Sequence, residues 1–197
     1  ADAVRRNIMY FHAKPDDIFV ILSGDQLYRM DFSKMVNEHL DRGAEVTVAA
    51  KPVPTEEASS LGLLSIGEDA KITEFVEKPT DPQIISGLVP DELKSSDGQS
   101  DRVLASMGIY VFNASSMFDA LEGDAKDFGK EIIPSLVQDK DIRCHVFDDY
   151  WEDIVTVKAF FDANLQLTEP VPSFNFYDED HPIYNYPDIL PTAKLTH

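Results

Sequence analysis

Five consecutive apolar residues, Ile18-Phe19-Val20-Ile21-Leu22, end abruptly at Ser23-Gly24-Asp25. A continuous apolar run without polar alternation is expected of a strand covered on both faces of a largely parallel sheet. Asp31 stands where a helix cap is needed, and Phe32, Met35, Val36, His39 and Leu40 fall on one face of the helix it would start. Gly43 stops that helix, and residues 45–50 read as the next strand. Strand, helix and strand in this order predict a right-handed crossover and an α/β sheet.

The remaining chain extends the same reading. Residues 2–11 have the spacing of a short amphipathic helix, with Val4, Ile8 and Phe11 apolar. Residues 61–66 and 71–76 flank Gly67-Glu68-Asp69-Ala70 as a hairpin. Residues 80–102 are polar and rich in Gly, Ser, Asp and Pro, which predicts a surface excursion. Residues 103–112 resume as a strand, 115–137 are mostly helical with a break at 123–129, and 142–147 form another strand. Thr156 caps a helix to about Leu167 whose apolar set is Val157, Phe160, Phe161, Leu165 and Leu167. From Pro170 onward five prolines interrupt any periodicity, so residues 170–197 are expected to cross a surface or lead to another domain.

Composition narrows the function classes. Seventeen basic residues against 36 acidic ones give a formal charge of -19, which repels nucleic-acid backbones and anionic membranes, so neither is an expected partner. No apolar run reaches membrane-spanning length. The single cysteine, Cys144, excludes an internal disulfide and a cysteine-based zinc site, and reads as a small core residue. The five histidines have no ligand spacing.

In an open α/β sheet, ligands gather beyond the carboxyl ends of the strands. Three segments place polar residues there. Ser23-Gly24-Asp25 offers a close backbone turn and a hard oxygen donor suited to Mg²⁺. Phe75-Val76-Glu77-Lys78-Pro79 leaves an acceptor for sugar hydroxyls and a point-charge partner for phosphate at a strand tip. Tyr150-Trp151-Glu152-Asp153 supplies a second carboxylate and an aromatic face. Each of these, taken alone, also reads as a turn, an exposed ion pair or an acidic helix start.

Taken together, and in this order, Ile21-Leu22-Ser23-Gly24-Asp25-Gln26-Leu27-Tyr28, Glu74-Phe75-Val76-Glu77-Lys78-Pro79, Ala105-Ser106-Met107-Gly108-Ile109-Tyr110-Val111-Phe112, Asp127-Phe128-Gly129-Lys130-Glu131-Ile132-Ile133-Pro134 and Tyr150-Trp151-Glu152-Asp153-Ile154 resemble the ADP-glucose pyrophosphorylases (glucose-1-phosphate adenylyltransferases). The resemblance covers essentially the whole chain. It implies a mixed, mostly parallel α/β sheet flanked by helices, of the nucleotide-diphospho-sugar transferase type, over residues 1–169. Residues 170–197 would then be a linker toward a C-terminal β-helix. It further implies conversion of ATP and glucose-1-phosphate to ADP-glucose and pyrophosphate, in glycogen or starch synthesis. The enzyme would be a cytoplasmic (in a plant, plastid) homo- or hetero-tetramer using Mg²⁺. By motif match Asp25 and Asp153 would be the catalytic metal carboxylates and Lys78 the sugar-phosphate ligand. Glu77, Ser106 and Asp127 would meet sugar hydroxyls, Trp151 would line the pocket, and Gly62 would let the backbone approach the sugar.

Departures from the family pattern accompany the matches. Ala1-Asp2-Ala3-Val4 resembles the end of the family's Gly-Thr-Ala-Asp-Ala-Val loop, so the family's upstream Gly-rich nucleotide loop is not in this chain. The isolated chain is therefore expected to lack appreciable turnover. Val155 stands where the family usually has glycine, and Gln26 where histidine is frequent. A non-catalytic regulatory subunit, or a pyrophosphorylase for another nucleotide sugar, are the alternative readings.

Overall fold

A computed structural model describes residues 1–95, 101–176, 178–179 and 182–184. The chain divides into two compact units, one of Ala1–Asp25 with Arg29–Asp149, the other of Gln26–Tyr28 with Tyr150–His197.

The first unit is organised by β6 (Arg102–Asn113), whose twelve residues pair along both edges. β3 (Val46–Pro54) runs antiparallel along one edge. The other edge takes β1 (Ile18–Ile21) at residues 110–113 and β4 (Gly62–Ile66) at residues 104–105, both antiparallel. β5 (Ile72–Glu77) closes a hairpin on β4, and β7 (Ile142–Val146) lies parallel to β3 at the far edge. The sheet is mixed, as expected, but the expected parallel majority is corrected, since β3–β7 is the one parallel pairing among the described residues. β1 and β3 do run the same way, yet β6 lies between them and opposes both. An apolar run carries no information about the direction of the neighbouring strand.

Alternation along β3 sends side chains to two faces. Val46, Val48 and Ala50 enter a core with Phe112, Met117, Leu121, Ile132, Ile133 and Cys144, contributed in part by α4 (Ala114–Leu121) and α5 (Ile133–Leu136). Thr47 faces the other way, toward α2 (Phe32–Asp41). That helix starts where the sequence says, with the Asp31 carboxylate accepting from Ser33 N at 3.0 Å. It ends at Gly43, whose φ of +61° suits a residue without Cβ. His39 on α2 is buried, its Nε2 3.0 Å from Asn113 Oδ1 and its Nδ1 2.8 Å from Thr47 Oγ1. The Asn113 amide nitrogen donates to Ala44 O at 3.0 Å, so its oxygen must accept. This puts a proton on Nε2, and burial lowers the pKa of His39, which favours the neutral ring. Cys144 is likewise a core residue, its thiol pushed up to about 12 by burial.

Three predicted segments differ. Residues 80–95 are not a bare excursion: Asp81 caps α3 (Pro82–Gly87), and Ile85, Leu88 and Val89 are buried with Leu63, Val103 and Ala105 in a second core. Polar composition hid three apolar residues that cover the outer part of β4 and β6; residues 96–100 lie outside the description. The run 18–22 is only partly covered, with Val20 and Leu22 exposed, because β1 pairs along one edge. In the second unit, α6 (Val157–Gln166) is capped by Thr156 as expected, but Val157, Phe160, Phe161 and Leu165 are exposed and Ala163 is the buried residue. The expected tail begins by folding back, Phe174 stacking on Tyr150 with centroids 5.4 Å apart. Residues 177, 180–181 and 185–197, most of the expected linker, lie outside the description. Α1 (Asp2–Asn7) and a 3₁₀ turn (Ile8–Tyr10) share the N-terminal segment. No helix among the described residues is long and apolar enough to cross a membrane.

The buried role of α3 is testable. Leu88→Ala should lower unfolding stability by about 2–5 kcal/mol, as for other core truncations. Urea denaturation of the two proteins measures it, and a change within experimental error would return this segment to the surface.

Candidate functional site

The hairpin β4–β5 places Glu77 directly opposite Gly62. A Cβ on Gly62 would lie 2.6 Å from Glu77 Oε2 and 2.9 Å from Phe75 Cζ, so only glycine lets the carboxylate fold down over the strand. β4 meets β6 at Leu63↔Ala105, one residue before Ser106, which itself pairs with Ala50 of β3. Glu77 and Gly62 thus stand at paired strand ends, and Ser106 lies within β6, one step beyond its pairing with β4.

A bulge in β6 completes this end of the sheet. Ser106 pairs with Ala50 and Tyr110 with Val48, so four steps on β6 match two on β3, with Gly108 at φ +68° between them. The two extra residues leave Ser106 and Tyr110 on the same face, and bulges re-aim side chains in this way beside functional sites. Gly108 N donates to Ser106 Oγ at 3.3 Å, and Ser106 also hydrogen-bonds the Tyr110 hydroxyl.

The opposite wall comes from the turn before α5. Asp127 caps a π-helical turn (Phe128–Ile132), accepting from Lys130 N at 2.8 Å. Such turns are uncommon and concentrate at functional sites. A Cβ built on Gly129 would lie 3.4 Å from Glu77 Oε2, 3.6 Å from the Tyr110 hydroxyl and 3.7 Å from Asp127 Oδ1. Two acids and a phenol thus converge on one point. Phe128 packs against Tyr110 and Phe112, which anchors the turn to the core.

The electrostatics follow from this crowding. Glu77 is raised from its ordinary value, first by burial and then by Asp127, while Lys78 and Lys130 pull it back. Tyr110 is pushed up to about 12, chiefly by burial, with Asp127 and Glu77 adding to it. The phenol stays protonated and able to donate at any physiological pH. Lys78, directly after β5, is in the left-handed region at φ +47°, with its N–H donating to Leu61 O at 3.1 Å. A lysine in that conformation carries local strain, which commonly accompanies functional positions. Its side chain is exposed at the tip of the strand, and the exposed Glu77–Lys78 ion pair that the sequence also allowed is not among the ion pairs found.

The remaining expected residues are carried by other segments. Asp25 is exposed before β2 (Gln26–Tyr28), with Ser23 Oγ donating to its Oδ1 at 2.6 Å. Trp151 and Asp153 are on β8 (Trp151–Asp153), which pairs with β2 in the second unit so that Gln26 opposes Asp153 and Tyr28 opposes Trp151. Trp151 is buried and its Nε1, like Gln26 Oε1, has no hydrogen-bond partner. Val155 is 65% exposed with no left-handed backbone, and its N–H approaches Asp153 Oδ1 at 3.4 Å. No group of three or more His, Cys, Asp or Glu able to hold a metal occurs among the described residues.

Of the expected residues, Gly62, Glu77, Ser106 and Asp127 are brought together, with Lys78 next to Glu77 in the chain. Sequence reasoning missed Tyr110 and Gly129. Period-two spacing from Ser106 would have placed Tyr110 on the same face. Nothing in the sequence announced Gly129 as the point of closest approach.

Comparison with known proteins agrees with this architecture. The sequence model of the nucleotidyl transferase family matches residues 1–170. A glucose-1-phosphate adenylyltransferase of Nitrosospira multiformis is 39% identical over 99% of this chain and 47% of its own length. One of Dechloromonas aromatica is 37% identical over 99% of this chain and 46% of its own. The chain thus spans about half the length of these curated relatives. With a strand-end cluster of sugar-compatible polar groups on a mixed α/β sheet, and with most of its length matched, the chain belongs to the nucleotidyl transferase family.

Proposed function

We propose that this chain supplies the sugar-phosphate side of a glucose-1-phosphate adenylyltransferase, joining ATP and glucose-1-phosphate to give ADP-glucose and pyrophosphate. The observation that carries the reading is the convergence of Glu77, Tyr110 and Asp127 around Gly129, with Lys78 following Glu77. Hydroxyls of a sugar would donate to the two carboxylates and accept from the phenol, while Lys78 would hold the phosphate as a point charge. This assigns opposite ends of one small molecule to opposite chemistries, which orients it. In-line attack on a nucleotide phosphorus needs such positioning and charge neutralisation more than any side-chain nucleophile.

Asp25 and Asp153 are proposed as the Mg²⁺ carboxylates. The donor set fits the ion: Mg²⁺ is ordinarily held by one or two carboxylates, with waters and phosphate oxygens completing the octahedron. Once bound, the ion would neutralise phosphate charge and so offset the chain's formal -19 locally. Trp151 is proposed to border the sugar, and a tetrameric assembly of the intact protein is proposed from the family likeness alone.

Calorimetric titration of the chain with glucose-1-phosphate in Mg²⁺ tests the site. Lys78→Ala should weaken binding about 10- to 100-fold, the range expected for losing one charge-assisted contact. Binding that is absent in the folded wild type, or equal in the variant, would remove the proposal.

Glu77 provides a pH test. Its pKa in the folded chain is raised, so the folded state holds the proton more tightly than the unfolded state. Stability should therefore fall as pH rises from the ordinary value of 4.5 through the raised one, and Glu77→Gln should be relatively more stable at pH 8 than at pH 4. Sugar affinity should move the opposite way, improving as Glu77 ionises. Because the ligand phosphate titrates in both proteins, the difference between wild type and Glu77→Gln isolates the side chain. Parallel pH profiles would show that Glu77 does not meet the sugar.

A further inference from the structure

Two glycines flank the Glu77 carboxylate, and they are not equivalent. At Gly62 an added Cβ would lie 2.6 Å from Glu77 Oε2 and 2.9 Å from the Phe75 ring, so both side chains would have to shift from the positions they hold. At Gly129 the nearest atoms to an added Cβ lie 3.4–3.7 Å away, ordinary contact distances, and the backbone is not left-handed. The protein leaves room there for a side chain and does not use it. Gly129 also sits in a helical turn, where glycine costs up to about 1 kcal/mol relative to alanine. Folding alone would favour alanine at this position.

We infer that Gly129 is a specificity-determining residue, its missing side chain forming a socket for one hydroxyl of the bound sugar. The inference rests on the sugar-phosphate reading of this site and adds what fills the gap. The three atoms around the socket define the occupant. Glu77 and Asp127 present carboxylate oxygens, and Tyr110 presents a hydroxyl whose proton is held firmly. A neutral hydroxyl satisfies this set, donating to a carboxylate and accepting from the phenol. A phosphate or carboxylate would meet two like charges, so the anionic end of the ligand is turned away from Gly129 and toward Lys78. A methyl group in the socket would occupy the hydroxyl's place, and a hydroxyl enlarged by a methyl ether would not enter.

The socket separates cleanly from the underlying site in one experiment. Gly129→Ala should keep the melting temperature of the wild type or raise it, yet weaken glucose-1-phosphate binding at least tenfold by calorimetry. Glu77→Gln is titrated beside it. Loss in Glu77→Gln with unchanged binding in Gly129→Ala overturns the socket and leaves the site intact. Unchanged binding in both overturns the site and the socket together. Should Gly129→Ala fail to fold, the wild-type chain is titrated with mono-O-methyl derivatives of glucose-1-phosphate. At least one position of methylation should cost tenfold or more, and tolerance at every position overturns the inference.

Discussion

The carboxylate of Glu77 can lie over β4 because Gly62 has no side chain, and the rest of the candidate site is arranged around that carboxylate. A hairpin register fixes Glu77 opposite Gly62, and a slip of one residue would send Glu77 to the other face of the sheet. Leu64 and Phe75, paired across the hairpin and buried in the main core, and Leu63, buried in the second, hold the register, since a slip would take each out of its own core. Core packing and site geometry are therefore one constraint at this end of the molecule.

β6 transmits the same constraint sideways. Its twelve residues contact β1, β3 and β4, and the bulge at Gly108 keeps Ser106 and Tyr110 on one face while the strand continues into the buried Val111 and Phe112. Tyr110 shows both sides of this arrangement. Its ring packs on Phe112 and Phe128, and its hydroxyl meets Ser106 near two acids. The ring contributes burial, and burial in turn holds the phenolic proton in place.

An acidic protein proposed to bind a sugar phosphate needs its charge distributed unevenly. The formal -19 is spread over the chain, whereas Lys78 and Lys130 stand near Glu77 and offset part of the local negative charge. Long-range repulsion remains, and short-range contacts decide binding because exposed charges beyond about 8–10 Å are largely screened at physiological salt. The proposed Mg²⁺ carboxylates belong to this same division of labour between bulk charge and local sign.

Much of the fold was legible because it rests on local signals. Asp31 and Thr156 as caps, Gly43 as a stop and the hairpin around Gly67 are each decided within a few residues, by hydrogen bonds and backbone conformations that the sequence names directly. Strand direction, the burial of Leu88, the exposure of Phe160 and the convergence on Gly129 were not legible. Each depends on which distant segment arrives alongside, and apolar content alone does not say which. The sequence by itself determined the local caps and turns, the candidate residues Gly62, Glu77, Lys78, Ser106 and Asp127, and the family they resemble. Only the tertiary structure decided that four of these share one strand-end cluster with Tyr110 and Gly129, because β4, β5, β6 and the Asp127 turn meet through long-range pairing and packing that no local pattern encodes.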